Sequence, residues 1–384
     1  MNYKSCLKIL ICFVLLLTIV VGFRNNEDPH DNNGPGSIGN GGHVHGLDRS
    51  IAMAAFEQDT VMMRAGDAVV TWAEFYFFLH NALSQLSHGF MMEVDWDEEF
   101  FDNKTIAESL LEFTTEHVLE LLIYEYALSL LGGTLSQEDL NLIQMDIDMM
   151  IESAESMDFL EETLIENGFF NIDVYKTLRI KQEFIPWQLL STLYGDDLTN
   201  ISDAAVSAFA EEHNFMRAKH ILLAFLREED GYSLQEIDEN KIVLRAQIED
   251  ILALLRERAQ DDDFIEFFDE QMWAHSEDPG LFYEPDGYLF LPEDMVAPFS
   301  DATAAIKPGE ISDIVVTSFG YHIVLRLPLN YDEVYAKYGY PLRMLAVIED
   351  FENNLEFWRE TMNVEFTDAY KSINFPEIFV WCSH

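Results

Sequence analysis

The chain has 384 residues, with 70 Asp and Glu against 22 Lys and Arg, giving a formal net charge of −48 at pH 7. Hydrophobic residues make up 49% of it and aromatic ones 13%, which excludes simple disorder and provides for about two or three packed domains. A field this negative excludes nucleic acid and anionic lipid surfaces as partners, because phosphate contacts need clustered Lys and Arg.

At the N-terminus, Lys4 and Lys8 precede an apolar run from Ile9 to Phe23, followed by polar residues from Arg24 to Asp28. Residues 1–23 fit a secretory signal or a short membrane anchor, the run being shorter than the roughly 20 residues of a full span. Either reading sends the bulk of the chain out of the cytoplasm, secreted or held at the membrane through this segment alone. Cys6 and Cys12 lie within it and Cys382 is the third cysteine, so no disulfide framework is expected. Residues 24–49, rich in Asn, Gly, Asp and Pro, read as a flexible linker. His43 and His45 within it read as solvated side chains, with weak metal binding as the alternative; no resident metal or cofactor is expected.

From residue 50 to 213 the pattern is helical. Thr60–Arg64 and Ala68–Val70 flank Ala65-Gly66-Asp67 as a small hairpin. Thr71 and Glu74 then form a capping box, opening a helix with Phe75, Phe78, Leu79, Ala82 and Leu86 on one face. Thr105 and Glu108 repeat that box before a long helix, which Gly132 and Gly133 stop. Ser136 caps a helix whose apolar face runs through Ile143, Ile147 and Ile151, and a short helix ends at Asn167-Gly168. Another opens near Asp173, kinks near Pro186 and stops at Gly195; Ser202 caps the last, which runs to about His213. The Met and aromatic residues along these faces serve either as core or as the lining of a peptide-binding groove.

The pattern changes at Met216. Ala218–Phe225 reads as a strand, followed by an acidic loop and a helix over about residues 240–259. A shorter helix spans Asp263–Ala274, and strands Ile314–Thr317 and His322–Leu327 are separated by a Ser-Phe-Gly-Tyr turn. After Pro328 a helix is expected over Pro341–Met362, then a short apolar tail to His384. The result is an α+β unit of residues 214–328, inserted between helical segments.

Within that unit the segment Arg217 to Leu223 resembles the opening strand of the parvulin-type peptidyl-prolyl isomerases. Other marks of that family follow in order: Ser276 to Gly280, Asp286-Gly287-Tyr288, Met295 to Phe299, Lys307 to Ser312, and Thr317 to Ile323. The flanking segments, 50–213 and 329–384, resemble the helical chaperone module of the PrsA and SurA foldases, which both ends of the chain build around a parvulin domain. The resemblance implies a parvulin-like antiparallel sheet with surrounding helices inside a mainly helical module. It implies an isomerase and chaperone for unfolded or partly folded exported polypeptides with X–Pro bonds, with no cofactor or metal.

Rotation about an X–Pro amide has a barrier near 20 kcal/mol, set by resonance that keeps the C–N bond planar. No bond breaks, so a catalyst has only to grip the proline ring, hold the flanking chain and stabilise the twisted amide. By the resemblance, His220, Asp278, Thr317 and His322 are the catalytic candidates, the two histidines side by side and linked by hydrogen bonding with Thr317. Met295 and Phe299, four apart on one helix face, suit a shelf for the proline ring, and Phe319 closes its other side. Two roles are open for the histidines, a buried polar brace or direct proton chemistry. Two are open for Asp278, tuning the field at the amide carbonyl or capping the turn before Pro279.

The chain departs from the family at Asp286, where many members carry Leu, which makes one pocket wall less apolar. The stretch Leu289–Asp294 is one residue longer than the common pattern. The acidic loop Arg227–Asn240 lacks the basic cluster that phosphoserine–proline substrates require. The competing function is a holdase in which the parvulin domain is structural or only binds peptide.

Overall fold

The register of two long strands organises the α+β part of the chain. In the computed structural model, which describes residues 49–87 and 94–379, β1 (Met216–Ala224) and β4 (Gly320–Leu327) pair antiparallel from Arg217 opposite Leu327 to Ala224 opposite Gly320. β2 (Tyr288–Phe290) adds to the outer edge of β1 and β3 (Val315–Val316) to that of β4, giving the antiparallel order β2-β1-β4-β3. The leader, residues 24–48 of the linker with His43 and His45, all three cysteines and His384 lie outside the described residues, and the linker's last residue, Arg49, opens a short helix to Met53.

Side chains alternate across a strand, so β1 and β4 have two distinct faces. Ile221, Leu223, Ile323, Leu325 and Leu327 pack against α1 (Leu234–Arg258) and α2 (Phe264–His275), through Ile248, Leu252, Leu255, Phe268 and Met272. The opposite face carries Ala218 and Val324, which cluster with Phe290, Phe299 and Val315 under α3 (Ala297–Ala305). His220 and His322 belong to this second face. Gly320 permits the tight start of β4, because a Cβ there would fall 2.0 Å from the Leu223 carbonyl oxygen.

Two expectations in this region are corrected. Asp286-Gly287-Tyr288, where no strand is expected, runs into strand β2, whose three residues are too few to show a period of two. The acidic loop is shorter than expected, since α1 begins at Leu234, six residues before Asn240. Ser233 and Glu236 make a reciprocal capping box there: the Glu236 amide donates to Ser233 Oγ and the Ser233 amide to Glu236 Oε2, at 3.3 and 2.8 Å.

The molecule divides into two compact units. The first covers Ile201–Glu349. It includes the helix Asp203–Glu212, capped by Ser202, and a small hairpin of Val334–Tyr335 with Tyr340–Pro341. Val206, Phe209 and Phe215 join Leu289, Tyr335 and Leu342 there in a separate apolar cluster.

The second unit comprises the described residues up to Asn200 together with those from Asp350 onward. The hairpin forms as expected, as strands Val61–Ala65 and Ala68–Thr71, and a third strand, Glu365–Phe366, pairs with Val61–Ala65. Helices follow over Trp72–Ser87, Ile106–Leu130, Gln137–Ser153, Met157–Glu166, Ile172–Arg179 and Ile185–Tyr194. The capping boxes at Thr71 and Thr105 are made, and the cap at Ser136 proves to be a third box, with Asp139. The first of these helices is buried more evenly than a single face predicts, with Tyr76, Phe77 and His80 inside while Phe78 is half-buried. Ile151, expected on the buried face of Gln137–Ser153, is exposed. Near Pro186, where a kink is expected, the structure has a π-helical turn, Ile180–Phe184, just before the proline. Among the described residues no helix is long and apolar enough to cross a membrane.

Candidate active site

His220 on β1 and His322 on β4 are diagonal neighbours, since His220 faces Val324 across the pair and His322 faces Leu222. Their rings meet at 5.2 Å between centroids and 61° between planes. Phe299, the first inward residue of α3, sets its ring edge against both, at 5.1 Å from His220 and 5.8 Å from His322. Tyr288 of β2 stacks on His220 at 5.8 Å and 17°.

Two loops complete the cluster. Ser276 to Gly280 is tied to β1: Ser276 Oγ accepts from the Leu222 amide at 3.1 Å, and the Glu277 amide donates to the Leu222 carbonyl at 2.8 Å. Within this loop Asp278 Oδ1 accepts from the Gly280 amide at 3.1 Å. Its Oδ2 accepts from the Tyr288 hydroxyl at 2.6 Å and lies 3.4 Å from His220 Nε2. Gly280 is needed for this arrangement, because a Cβ would stand 2.0 Å from the Tyr288 hydroxyl oxygen. On the other side Thr317 Oγ1 is 2.8 Å from His322 Nε2 and accepts from the Phe319 amide at 3.0 Å.

Burial sets the charge state of the pair. Desolvation lowers the His220 pKa, opposed by the nearby Asp278 carboxylate. Burial, with help from His220 and against Asp278, takes His322 down to about 4. Both rings are therefore neutral at pH 7. Each uses only Nε2, and the Nδ1 atoms of both have no hydrogen-bond partner among the described residues. Burial and then the Asp278 hydrogen bond push the Tyr288 phenol up, so it stays a donor.

The structure thus brings His220, Asp278, Thr317, His322 and Phe299 together. The expected link between the histidines differs: Thr317 bonds His322, whereas His220 turns to Asp278. Met295 packs at the edge of the same apolar cluster, but not from a helix. It is extended, with φ −117° and ψ 161°, two residues before α3. Pro298 is the reason: with no N–H it fits the first turn and could not donate to Asp294 in a helix starting earlier. Phe319 is 44% exposed, tied to the site through Thr317, with Arg227 over its ring at 5.7 Å.

Asp286 points to solvent, and its carbonyl accepts from Arg217 Nη2 at 2.9 Å. Tyr288, Ser276 and Gly280 were not among the candidates. The Asp–x–Gly spacing of an Asx turn was a signal for the loop, but the Tyr288 hydroxyl meets Asp278 only once β2 is in place.

Residues 206–326 match the family model described as the PPIC-type PPIASE domain. This stretch is a parvulin-type domain. The isomerase pin1 of Schizosaccharomyces pombe is 56% identical over 34 residues, 9% of this chain. That match spans 19% of the relative's own length. Among solved structures, TbPIN1 is similar at 27% identity over 30% of this chain and 97% of its own, with a TM-score of 0.22. PrsA of Bacillus subtilis is similar at 17% identity over 83% of this chain and 94% of its own, with a TM-score of 0.21.

Proposed function

We propose that the protein is a peptidyl-prolyl cis–trans isomerase and folding chaperone for exported or cell-envelope polypeptides. It works outside the cytoplasm, and residues 1–23 serve as its signal or anchor. The parvulin domain carries catalysis, and the helical segments on either side of it hold the unfolded client. The observation that carries the catalytic half is the cluster of His220, His322, Phe299 and a loop-held Asp278 within the matched domain.

Phe299 and Met295 grip the proline ring, and Phe319 flanks it. The planar amide is stabilised by a resonance form with negative charge on the carbonyl oxygen. Asp278, fixed by Gly280 and Tyr288, disfavours that form by its charge and lowers the barrier to rotation. The histidines act as a brace: both are neutral, and among the described residues no hydrogen bond joins them into a proton path. Thr317 holds His322 in place.

Exchange spectroscopy on an unphosphorylated X–Pro peptide tests this. The protein accelerates cis–trans exchange, and Asp278→Asn slows it about tenfold, the cost of removing one fixed charge from the transition state. Exchange no faster than in buffer would sink the catalytic half. The holdase alternative draws on one observation, that both Asp278 oxygens already have partners inside the protein. It predicts that Asp278→Asn leaves both exchange and suppression of client aggregation unchanged.

A further inference from the structure

The helix Gln137–Ser153 buries Ile143 and Ile147, and Ile147 joins Leu160, Leu164 and Leu178 in the core of the helical unit. Its outer side is also apolar. Leu142, Met145 and Met149 are 46%, 53% and 52% exposed. Their spacing of three and four puts them in one stripe, about 10 Å long at 1.5 Å per residue. Glu138 and Glu152 continue the same stripe beyond its two ends, at spacings of four and three, and both are exposed.

The charge carried by this helix and the one after it has one sign. Residues 137–166 contain ten Asp and Glu and no Lys or Arg. Lys176 and Arg179, from the helix Ile172–Arg179, are held against Gln144 and Asp146 at 2.7 and 3.2 Å. A purely apolar partner laid on this face would strip water from Glu138, Asp148 and Glu152 with nothing in exchange. An acidic partner would be repelled. A segment that interleaves Lys or Arg with Leu or Phe at helical spacing satisfies both the stripe and its rim, and methionine side chains adapt to varied partners.

We infer that this face is a docking surface for cationic amphipathic segments of unfolded polypeptides. The inference rests on the client-holding half of the reading above and is independent of catalysis.

The test uses the full-length protein and a fluorescein-labelled, proline-free peptide of Leu and Lys at helical spacing. Versions with Ser or Glu in place of Lys serve as comparisons, and anisotropy reads the affinity. The Lys peptide binds on the order of tenfold tighter than the Ser peptide, and the margin shrinks as salt rises. The triple variant Leu142→Ser, Met145→Ser, Met149→Ser loses about tenfold in affinity. The variant Glu138→Gln, Asp148→Asn, Glu152→Gln loses both the preference for Lys and the salt dependence. Equal binding of the Ser peptide would overturn the inference. So would unchanged binding by the triple serine variant with its circular dichroism intact, or sedimentation showing a second copy seated on the stripe. Because the peptides lack proline, a failed exchange assay and a failed binding assay remain separate results.

Discussion

His322 shows most directly how burial, rather than residue type, fixes chemistry in the site. It is 4% exposed, and its pKa falls from 6.5 to about 4. In the unfolded chain the same ring takes up a proton near pH 6.5. Between those values the unfolded state binds more protons, so stability falls as pH drops from 6.5 towards 4 and this contribution levels off below. The loss is on the order of 3 kcal/mol. His220 shifts in the same direction. Denaturant titrations at pH 7 and pH 4.5 measure the effect. The native protein loses more stability over that interval than a His322→Gln variant, which keeps a side chain able to bond Thr317 but has nothing to protonate there. Equal losses would mean that His322 titrates normally. That the two histidines belong to one site was legible in sequence through family resemblance. Their neutrality was not, because it depends on what α3, β2 and the two loops lay over them.

Where an element begins or ends was readable when side chain and backbone satisfy each other locally. The boxes at Thr71 and Thr105 and the cap at Ser136 mark helix starts that the structure makes. The box at Ser233 and Glu236 follows the same rule, but the surrounding run of acidic residues hid it as a loop. β2 and the strand Glu365–Phe366 were unreadable, because two or three residues carry no period and their pairing partners are distant in sequence. The π-helical turn Ile180–Phe184 is a further case. It places Lys181, 6% exposed, where its Nζ reaches Glu74 at 2.8 Å, Glu125 at 2.9 Å and the Val69 carbonyl at 2.7 Å. Burial works against the ammonium, but the two carboxylates outweigh it and raise its pKa. Lys181 thus joins the hairpin, the helix Trp72–Ser87 and the helix Ile106–Leu130. Lys181→Met leaves the buried Glu74 and the half-buried Glu125 without a counter-charge and destabilises the helical unit by about 3–5 kcal/mol. Chemical denaturation followed by circular dichroism measures this, and a change under 1 kcal/mol would show that the three groups are effectively solvated.

For the molecule as a whole, charge and apolar exposure act against each other. Residues 50–213 carry a net −27 of the total −48, while the same stretch exposes Leu142, Met145, Met149, Met157 and Phe159. Like charges at this density keep such surfaces apart in solution and strain the folded chain by self-repulsion. Added sodium chloride screens that repulsion within a Debye length of roughly 10 Å at 0.1 M. The thermal midpoint therefore rises by several degrees between low and moderate salt, a shift expected from about 1 kcal/mol or more of relieved repulsion. Scanning calorimetry in sodium chloride, which avoids the surface-exclusion effect of sulfate, reads it directly. A flat or falling midpoint would mean that ion pairs such as Arg359 with Glu116 and Arg343 with Asp203 and Asp332 contribute more than the repulsion does. The same screening weakens a cationic segment's hold on the Met145 stripe. Salt then moves stability and client docking in opposite directions, a signature that an acidic surface serving solubility alone would not produce.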